Sequence, residues 1–334
     1  MKSEITLEQY VEMYHSELEQ QMNSFIKYID LIMDESMYYM QIYGIHEDKF
    51  IEENYNNKLD NNEVIDICFN ILNELDSNYS LLFKEYLCNK VIKYKKNKKF
   101  SYMNSKNIVI NKTNTVEDIF TTIHEFFHKV HISMYDNNLK DPEWLFSSEL
   151  VAILFELYAF FYMYKNDMYK EDLKIYFNRL IDAVGMISMD IIHEIIILNI
   201  YDKYKSIDIE SMYKFLKYKG MDEEVLGLLN VFETEKKSFR YHKEVPYIFG
   251  FIISLISGLN MVYDNNYKDK VLDSFKSINS NSLEVFLKNI NMDSILNDKD
   301  GEILYNFVEN INQFIDTINK KDKITGKELK LERY

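Results

Sequence analysis

The chain has 334 residues, and 47% of them are hydrophobic, which is enough for a large core in one domain or two lobes. Its formal net charge of −15 argues against a nucleic-acid partner, because such a surface has to neutralise many phosphates. Eight glycines and two prolines leave few tight turns, so the long segments with helical periodicity predict a mainly α-helical fold.

The N-terminus predicts a cytoplasmic location, because Met1 to Glu8 contain neither the apolar core nor the cleavage site of a secretion signal. Residues 245–262 are uncharged, but Pro246 and Gly250 interrupt them. We therefore expect a buried core helix and no membrane partner. Cys68 and Cys88 are predicted to be buried thiols rather than a disulfide. No pattern indicates an oligomeric state.

The N-terminal part reads as long amphipathic helices over residues 7–43 and 62–95, separated by a break near Asn56 and Asp60. A basic run from Lys93 to Lys99 fits a solvated helix end. We predict an N-terminal helical portion over 1–100, a region over 101–319 that contains the motifs described below, and a charged tail over 320–334.

Residues 107–111 are the clearest strand, because the run is short, β-branched and bounded by polar residues. They predict a β-hairpin or short sheet immediately before a helix whose start is marked by Thr115 and Asp118. Such a strand either offers its edge to an extended peptide or simply closes the lobe.

A possible metal site lies in the helix that follows. His124 and His128 are four residues apart, so both imidazoles project from one helical face as a pair of metal ligands. Glu125, one residue further round, can reach a water molecule beside the metal. The alternative is a helix in which two histidines and an acid occur by chance.

The next helix supplies a candidate third ligand. Asp141 and Pro142 mark its start, as a helix cap and a first helical residue. Glu149 lies 21 residues after His128, and the residues that follow it are apolar. A carboxylate on such a face is costly unless it is paired or binds a metal. Glu156, two turns further along, is a candidate hydrogen-bond partner for a ligand histidine, or an ordinary ion-paired acid.

Further helices are predicted over residues 169–184, 187–204, 208–218, 221–233, 267–277, 281–290 and 299–319. Asp190 and His193 in the second of these allow another class of protein, a di-iron or di-manganese carboxylate bundle. Such bundles combine two Glu-x-x-His pairs with two further carboxylates. Glu125 with His128 fits that pattern, but the second pair has aspartate in place of glutamate.

The run from Asn107 to His131 resembles the strand, loop and metal helix of the oligoendopeptidase F and thimet oligopeptidase family of zinc metallopeptidases. That family carries the motif His-Glu-x-Gly-His-x-x-His, followed by a helix with two glutamates seven residues apart. The residues matching these patterns are His124, Glu125, His128, His131, Glu149 and Glu156. His242 and the segment from Tyr247 to Phe251 resemble a later His and Tyr-x-Tyr-x-Tyr segment less closely, and the likeness covers residues 90–260.

Three features depart from the family. Phe127 replaces the glycine of the metal motif, Phe249 and Phe251 replace two tyrosines, and most of the family's N-terminal helical roof is missing. Each change bears on substrate length or access. None removes a ligand or the base.

The resemblance implies a shortened zinc endopeptidase of helical, zincin-like fold that acts on short unstructured peptides. In that reading His124, His128 and Glu149 bind one zinc ion, and Glu125 is the general base. Tyr247 and His242 are candidate oxyanion donors. His131 is expected to be structural or substrate-facing rather than a fourth ligand. A third hypothesis is a relative that binds peptides without cleaving them.

Overall fold

The computed structural model describes residues 54–134, 142–205, 210–211, 214, 241–278, 283–294 and 314. Its helices are α1 (Asn61–Leu75), α2 (Ser77–Cys88), α3 (Glu117–Met134), α4 (Pro142–Lys165), α5 (Lys170–Tyr204), α6 (Tyr241–Tyr263), α7 (Asn265–Lys276) and α8 (Leu283–Asn289). Its strands are β1 (Ile92–Lys95), β2 (Tyr102–Met103) and β3 (Ile108–Asn111). The mainly helical fold with a short sheet before α3 is confirmed.

The predicted helix over residues 62–95 is wrong in its extent, because Asp76 divides it into α1 and α2. Asp60 caps α1 by accepting hydrogen bonds from the N–H groups of Asn62 and Glu63, and Glu63 accepts one in return from the Asp60 N–H. Asp76 then ends α1 and caps α2 through the Asn78 N–H at 2.9 Å. Each cap satisfies backbone groups that a helix end leaves without partners, so the chain turns here at little cost.

The basic run after α2 is not a helix end, since its first residues form β1. The sheet has the order β1-β3-β2, with β1 parallel and β2 antiparallel to β3. β3 confirms the predicted strand, but it is paired on both sides. The outer strands of the described sheet are therefore β1 and β2. The domain boundary at residue 100 stays a prediction.

Asp118, one of the two residues that mark the start of α3 in the sequence, holds the loop before that helix. The Asp118 carboxylate is buried and accepts hydrogen bonds from the N–H groups of Thr113 and Asn114 at 2.8 and 2.9 Å. It also accepts one from the Thr113 hydroxyl at 2.9 Å. Asp118 therefore ties the loop after β3 to the first turn of α3, which fixes the helix relative to the sheet.

Two helices that carry predicted site residues pack closely and run in parallel. Gly250 and Gly258 of α6 lie against the backbone of α4 at Leu150 and Tyr158, where an added Cβ would meet backbone atoms at 3.0 and 2.9 Å. Between them the Ser254 hydroxyl donates to the Leu150 carbonyl at 3.0 Å. Small residues four apart allow this close approach.

The core behind α3 is aromatic. Phe127 is fully buried and stacks on Phe155 with ring centroids 3.7 Å apart, while Tyr79 and Phe275 pack at its edges. Phe127 therefore fills the core between α3 and α4.

Helix α5 is one continuous helix where two were predicted. Pro142 is the first residue of α4 as expected.

Cys68 is a buried free thiol, but Cys88 is exposed, which corrects that part of the cysteine prediction. No helix in the described ranges has the length and apolar character needed to span a membrane. The cytoplasmic location stays a prediction. The helices predicted over 7–43, 221–233 and 299–319 and the charged tail fall outside the described residues, apart from Phe314.

Candidate metal centre

Three donor atoms from two helices converge at one point. The Nε2 atoms of His124 and His128 are 3.0 Å apart, and a Glu149 carboxylate oxygen lies 3.7 Å from the first and 3.4 Å from the second. In a tetrahedral zinc site with bonds of about 2.0–2.1 Å, neighbouring ligand atoms lie about 3.3–3.4 Å apart. The three atoms therefore form one face of a zinc-sized tetrahedron, and a fourth position remains for water or substrate. Among the described residues, this is the group of three that could hold a metal ion.

The opposite ring nitrogens are held by hydrogen bonds from α4. The His124 Nδ1 is 2.6 Å from a Glu156 carboxylate oxygen, and the His128 Nδ1 is 2.9 Å from the Ser148 hydroxyl. A carboxylate can only accept, so the proton of neutral His124 lies on Nδ1 and the Nε2 lone pair points at its neighbours. Orientation of a ligand histidine by a carboxylate is typical of metal sites.

A tyrosine that the sequence did not indicate supports Glu156. The Tyr176 hydroxyl of α5 donates to the second oxygen of the Glu156 carboxylate. The Tyr176 ring is buried and stacks on Phe120 at 4.0 Å, so its position is fixed by packing. Three helices thus contribute to one chain of contacts, from Tyr176 through Glu156 to His124.

The electrostatics of the site favour a cation. Burial lowers the pKa of His124, but the Glu156 hydrogen bond and the charges of Glu156, Glu149 and Glu125 outweigh it and raise that pKa to about 9. The surrounding carboxylates therefore stabilise a positive charge at this position. A divalent ion that takes the place of the proton satisfies the same field.

Glu125 lies between the ligand pair and the sheet. Thr122, Glu125 and Lys129 share a face of α3, and that face meets the sheet. Thr122 is 3.1 Å from the Tyr94 hydroxyl of β1, and Lys129 donates to the Ser105 carbonyl after β2 at 2.5 Å. His124 and His128 instead face α4. Burial is the largest effect on the Glu125 carboxyl and, with the charges of Glu149 and Glu156, raises its pKa despite the two imidazoles.

His131 is fully buried on the core side of α3, with its ring centroid 6.1 Å from that of Phe275. Burial, and then the charge of His128, lowers the pKa of His131 to about 3, so its imidazole is neutral at physiological pH. It does not belong to the group of three donor atoms. The predicted structural role is consistent with this position.

The two predicted oxyanion donors lie on α6. His242 and Tyr247 belong to its first two turns, and the contact of Gly250 with Leu150 brings this end of α6 beside the turn of α4 that carries Glu149. The side chains of His242 and Tyr247 lie outside the described part of the chain, so their roles stay predictions.

The two-metal alternative needs Glu156 as a ligand. Both of its oxygens are already engaged, one by the His124 Nδ1 and the other by the Tyr176 hydroxyl. The side chains of Asp190 and His193, the second pair in that hypothesis, lie outside the described residues. The observed contacts therefore favour a single ion.

Comparison with known proteins gives one structural likeness. A solved structure described as "PZ peptidase A with inhibitor 2" superposes with a TM-score of 0.56 at 12% sequence identity. The match covers 88% of this chain but 59% of the other, so this chain spans well under two thirds of its neighbour. No family model and no curated protein matches the sequence. At this identity the likeness shows that the two chains share a fold, over 88% of this chain.

Proposed function

We propose that this protein is a zinc-dependent endopeptidase that hydrolyses short, unstructured oligopeptides. The observation that carries the proposal is the convergence of the two Nε2 atoms and the Glu149 oxygen at 3.0–3.7 Å from one another. The Glu125 carboxyl interacts electrostatically with all three residues. The peptidase fold of the structural neighbour supports the proposal. The proposal relates the chain to the oligoendopeptidase F and thimet oligopeptidase family, which the motif around His124 resembles.

The fit of these residues to zinc rests on their chemistry as well as their spacing. Two imidazoles and one carboxylate form a common ligand set of catalytic zinc sites, in which a fourth position stays open. The Nδ1 contacts with Glu156 and Ser148 keep both histidines in the tautomer that presents Nε2. Zinc bound there supplies Lewis-acid chemistry, lowering the pKa of water and polarising a carbonyl group.

Glu125 is the proposed general base and, later, the general acid. Its raised pKa brings the carboxyl closer to the pH at which it works, so it can accept a proton and release it again. In peptide hydrolysis it takes a proton from the attacking water and passes it to the leaving amine. Glu149 and the two histidines remain ligands throughout.

The sheet supplies a place for the peptide main chain. β2 is an edge strand, Tyr102 in it is exposed, and the sheet lies on the Glu125 side of α3. An extended peptide added along β2 gains main-chain hydrogen bonds that do not depend on its side chains. Such binding requires an extended segment, which explains a preference for unstructured peptides over folded proteins.

The oxyanion formed at the scissile carbonyl needs a second donor, and Tyr247 and His242 are the proposed ones. Both come from the end of α6 that packs beside Glu149. A phenol or imidazolium there would share the developing negative charge.

Peptide hydrolysis by the wild-type protein and the Glu125→Gln variant tests the proposal. With one equivalent of zinc, the wild type should cleave members of an unstructured peptide library, and EDTA should abolish cleavage. Glu125→Gln should keep its zinc but lose at least about 100-fold in rate, because the base is gone. An equally active Glu125→Gln protein would contradict the mechanism. Binding of the library without turnover would instead favour the non-cleaving relative.

A further inference from the structure

One segment of this acidic protein carries a strong net positive charge, because it contains lysines but no acidic residue. Between Tyr86 and Val116 the sequence has eight lysines and no aspartate or glutamate. This stretch, which contains the whole sheet, therefore carries +8, while the rest of the chain carries −23. Charge segregation on this scale creates a local positive potential on a molecule that otherwise repels anions.

Most of these lysines are available to a ligand. We call Lys95, Lys96, Lys98 and Lys99, with the exposed ring of Phe100, the basic loop, which joins β1 to β2. All four lysines are exposed, and none forms an ion pair within the described ranges. A further exposed lysine, Lys106, lies in the turn between β2 and β3. The basic loop and Lys106 thus flank the two ends of edge strand β2.

The location of the basic loop links it to the candidate metal centre. The turn after β2 contacts α3 at Lys129, the residue after the ligand His128. β1 contacts α3 at Thr122, two residues before the ligand His124. A peptide lying along β2 towards Glu125 therefore passes between lysines at both ends of the strand.

We propose that the basic loop selects acidic oligopeptides as the substrates of this site. The proposal rests on the peptidase function proposed above and specifies its substrate class. Glutamate or aspartate side chains flanking the scissile bond would be attracted by Lys95, Lys96, Lys98, Lys99 and Lys106 while the main chain pairs with β2. Phe100 and Tyr102 add exposed aromatic surface beside the lysines.

The charge distribution favours a short ligand over a long polyanion. The strands of the sheet are at most four residues long, or about 13 Å. Charges on a ligand extending more than about 8 Å past this patch meet the acidic remainder of the protein at physiological salt. A nucleic acid or an anionic membrane extends much further, whereas an oligopeptide fits within the basic loop and β2.

Binding of matched peptides to the zinc-loaded Glu125→Gln protein tests this inference without turnover. Two labelled nine-residue peptides would differ only in having four glutamates or four glutamines. At low salt we expect the glutamate peptide to bind about tenfold more tightly, an advantage that shrinks severalfold when the salt concentration is raised. The Lys95→Gln, Lys96→Gln, Lys98→Gln, Lys99→Gln protein should lose that advantage and bind the glutamine peptide as before.

A matched control changes the net charge equally in other parts of the chain. Lys58→Gln, Lys170→Gln, Lys270→Gln and Lys288→Gln together alter exposed lysines outside the sheet segment, and should leave the preference intact. The inference would be overturned if the basic-loop variant kept its preference for the glutamate peptide. It would also be overturned if the control variant lost that preference to the same degree. Wild-type protein that sediments with vesicles containing phosphatidylserine but shows no peptide preference would overturn it as well. Zinc-dependent cleavage of both peptides at equal rates would sink this inference alone, whereas no cleavage of either would count against the proposed function.

Discussion

The Tyr176 hydroxyl should affect metal binding although it contacts none of the three candidate ligands. The hydroxyl contacts Glu156, which in turn orients His124, so removing the hydroxyl should loosen one ligand while the ring stays stacked on Phe120. Tyr176→Phe should weaken zinc binding about tenfold, in line with changes to partners of ligand histidines elsewhere. Competition with a coloured zinc chelator measures this affinity.

The matched control is Tyr94→Phe. The Tyr94 hydroxyl also contacts α3, at Thr122, but it has no link to a ligand nitrogen. Tyr94→Phe should therefore keep its zinc affinity. Equal losses in the two variants would show that Tyr176 acts only through the general stability of the helices.

The sequence indicated the residues whose donor atoms converge at the candidate metal centre, but it did not indicate all of those that orient them. His124, Glu125 and His128 follow a fixed helical spacing, and Glu149 follows from a carboxylate among apolar neighbours. Ser148 and Tyr176 could not be found this way, because their contacts depend on how α4 and α5 pack against α3. Ser148 adjoins Glu149 and is the kind of neighbour that a search for hydroxyls beside a ligand would find.

Because α6 packs closely on α4, a larger residue at Gly258 should destabilise the protein. Glycine to alanine in an exposed helix stabilises a protein by up to about 1 kcal/mol. At Gly258 the sign should reverse, because the new Cβ would lie 2.9 Å from the Tyr158 backbone nitrogen and force the helices apart. We expect Gly258→Ala to cost about 1–3 kcal/mol, measured as a lower urea midpoint. An unchanged or higher midpoint would contradict the parallel packing of α4 and α6.

The elements themselves were predictable where local signals dominate. Strand β3, the first residue of α4 and the uncharged stretch 245–262 within α6 all follow from short-range patterns. The division at Asp76 was missed because one polar residue in a helical pattern is weak evidence, although here it caps the next helix. The strand β1 was hidden in a basic run, since its formation depends on pairing with β3, a contact that is not local.

The pH dependence of stability is a property of the whole molecule. The His124 pKa is about 9 in the folded protein and about 6.5 when unfolded. Below pH 6.5, His124 is protonated in both the folded and the unfolded protein. Its full contribution to the free energy of unfolding is then present. As pH rises towards 9 the unfolded state loses its proton first, so the contribution is progressively lost. The zinc-free protein should therefore lose up to about 3 kcal/mol between pH 6.5 and pH 9.5.

Urea unfolding across this pH range measures the effect. The His124→Gln variant lacks the titrating group, so its stability should fall less over the same interval. Zinc-loaded wild type should not show the loss, because metal replaces the proton on His124. A zinc-free wild type whose stability is as flat as that of His124→Gln would contradict the assignment of the raised pKa.

If His124, His128 and Glu149 bind a single divalent ion, as we propose, the purified chain should hold zinc in a fixed proportion. After loading and removal of free metal, elemental analysis should find about one zinc per wild-type chain. Glu149→Ala should retain little of it, while the control Glu85→Ala, which removes an exposed carboxylate from α2, should retain all of it. A wild-type protein without zinc, or a Glu149→Ala protein that keeps its full equivalent, would contradict the account.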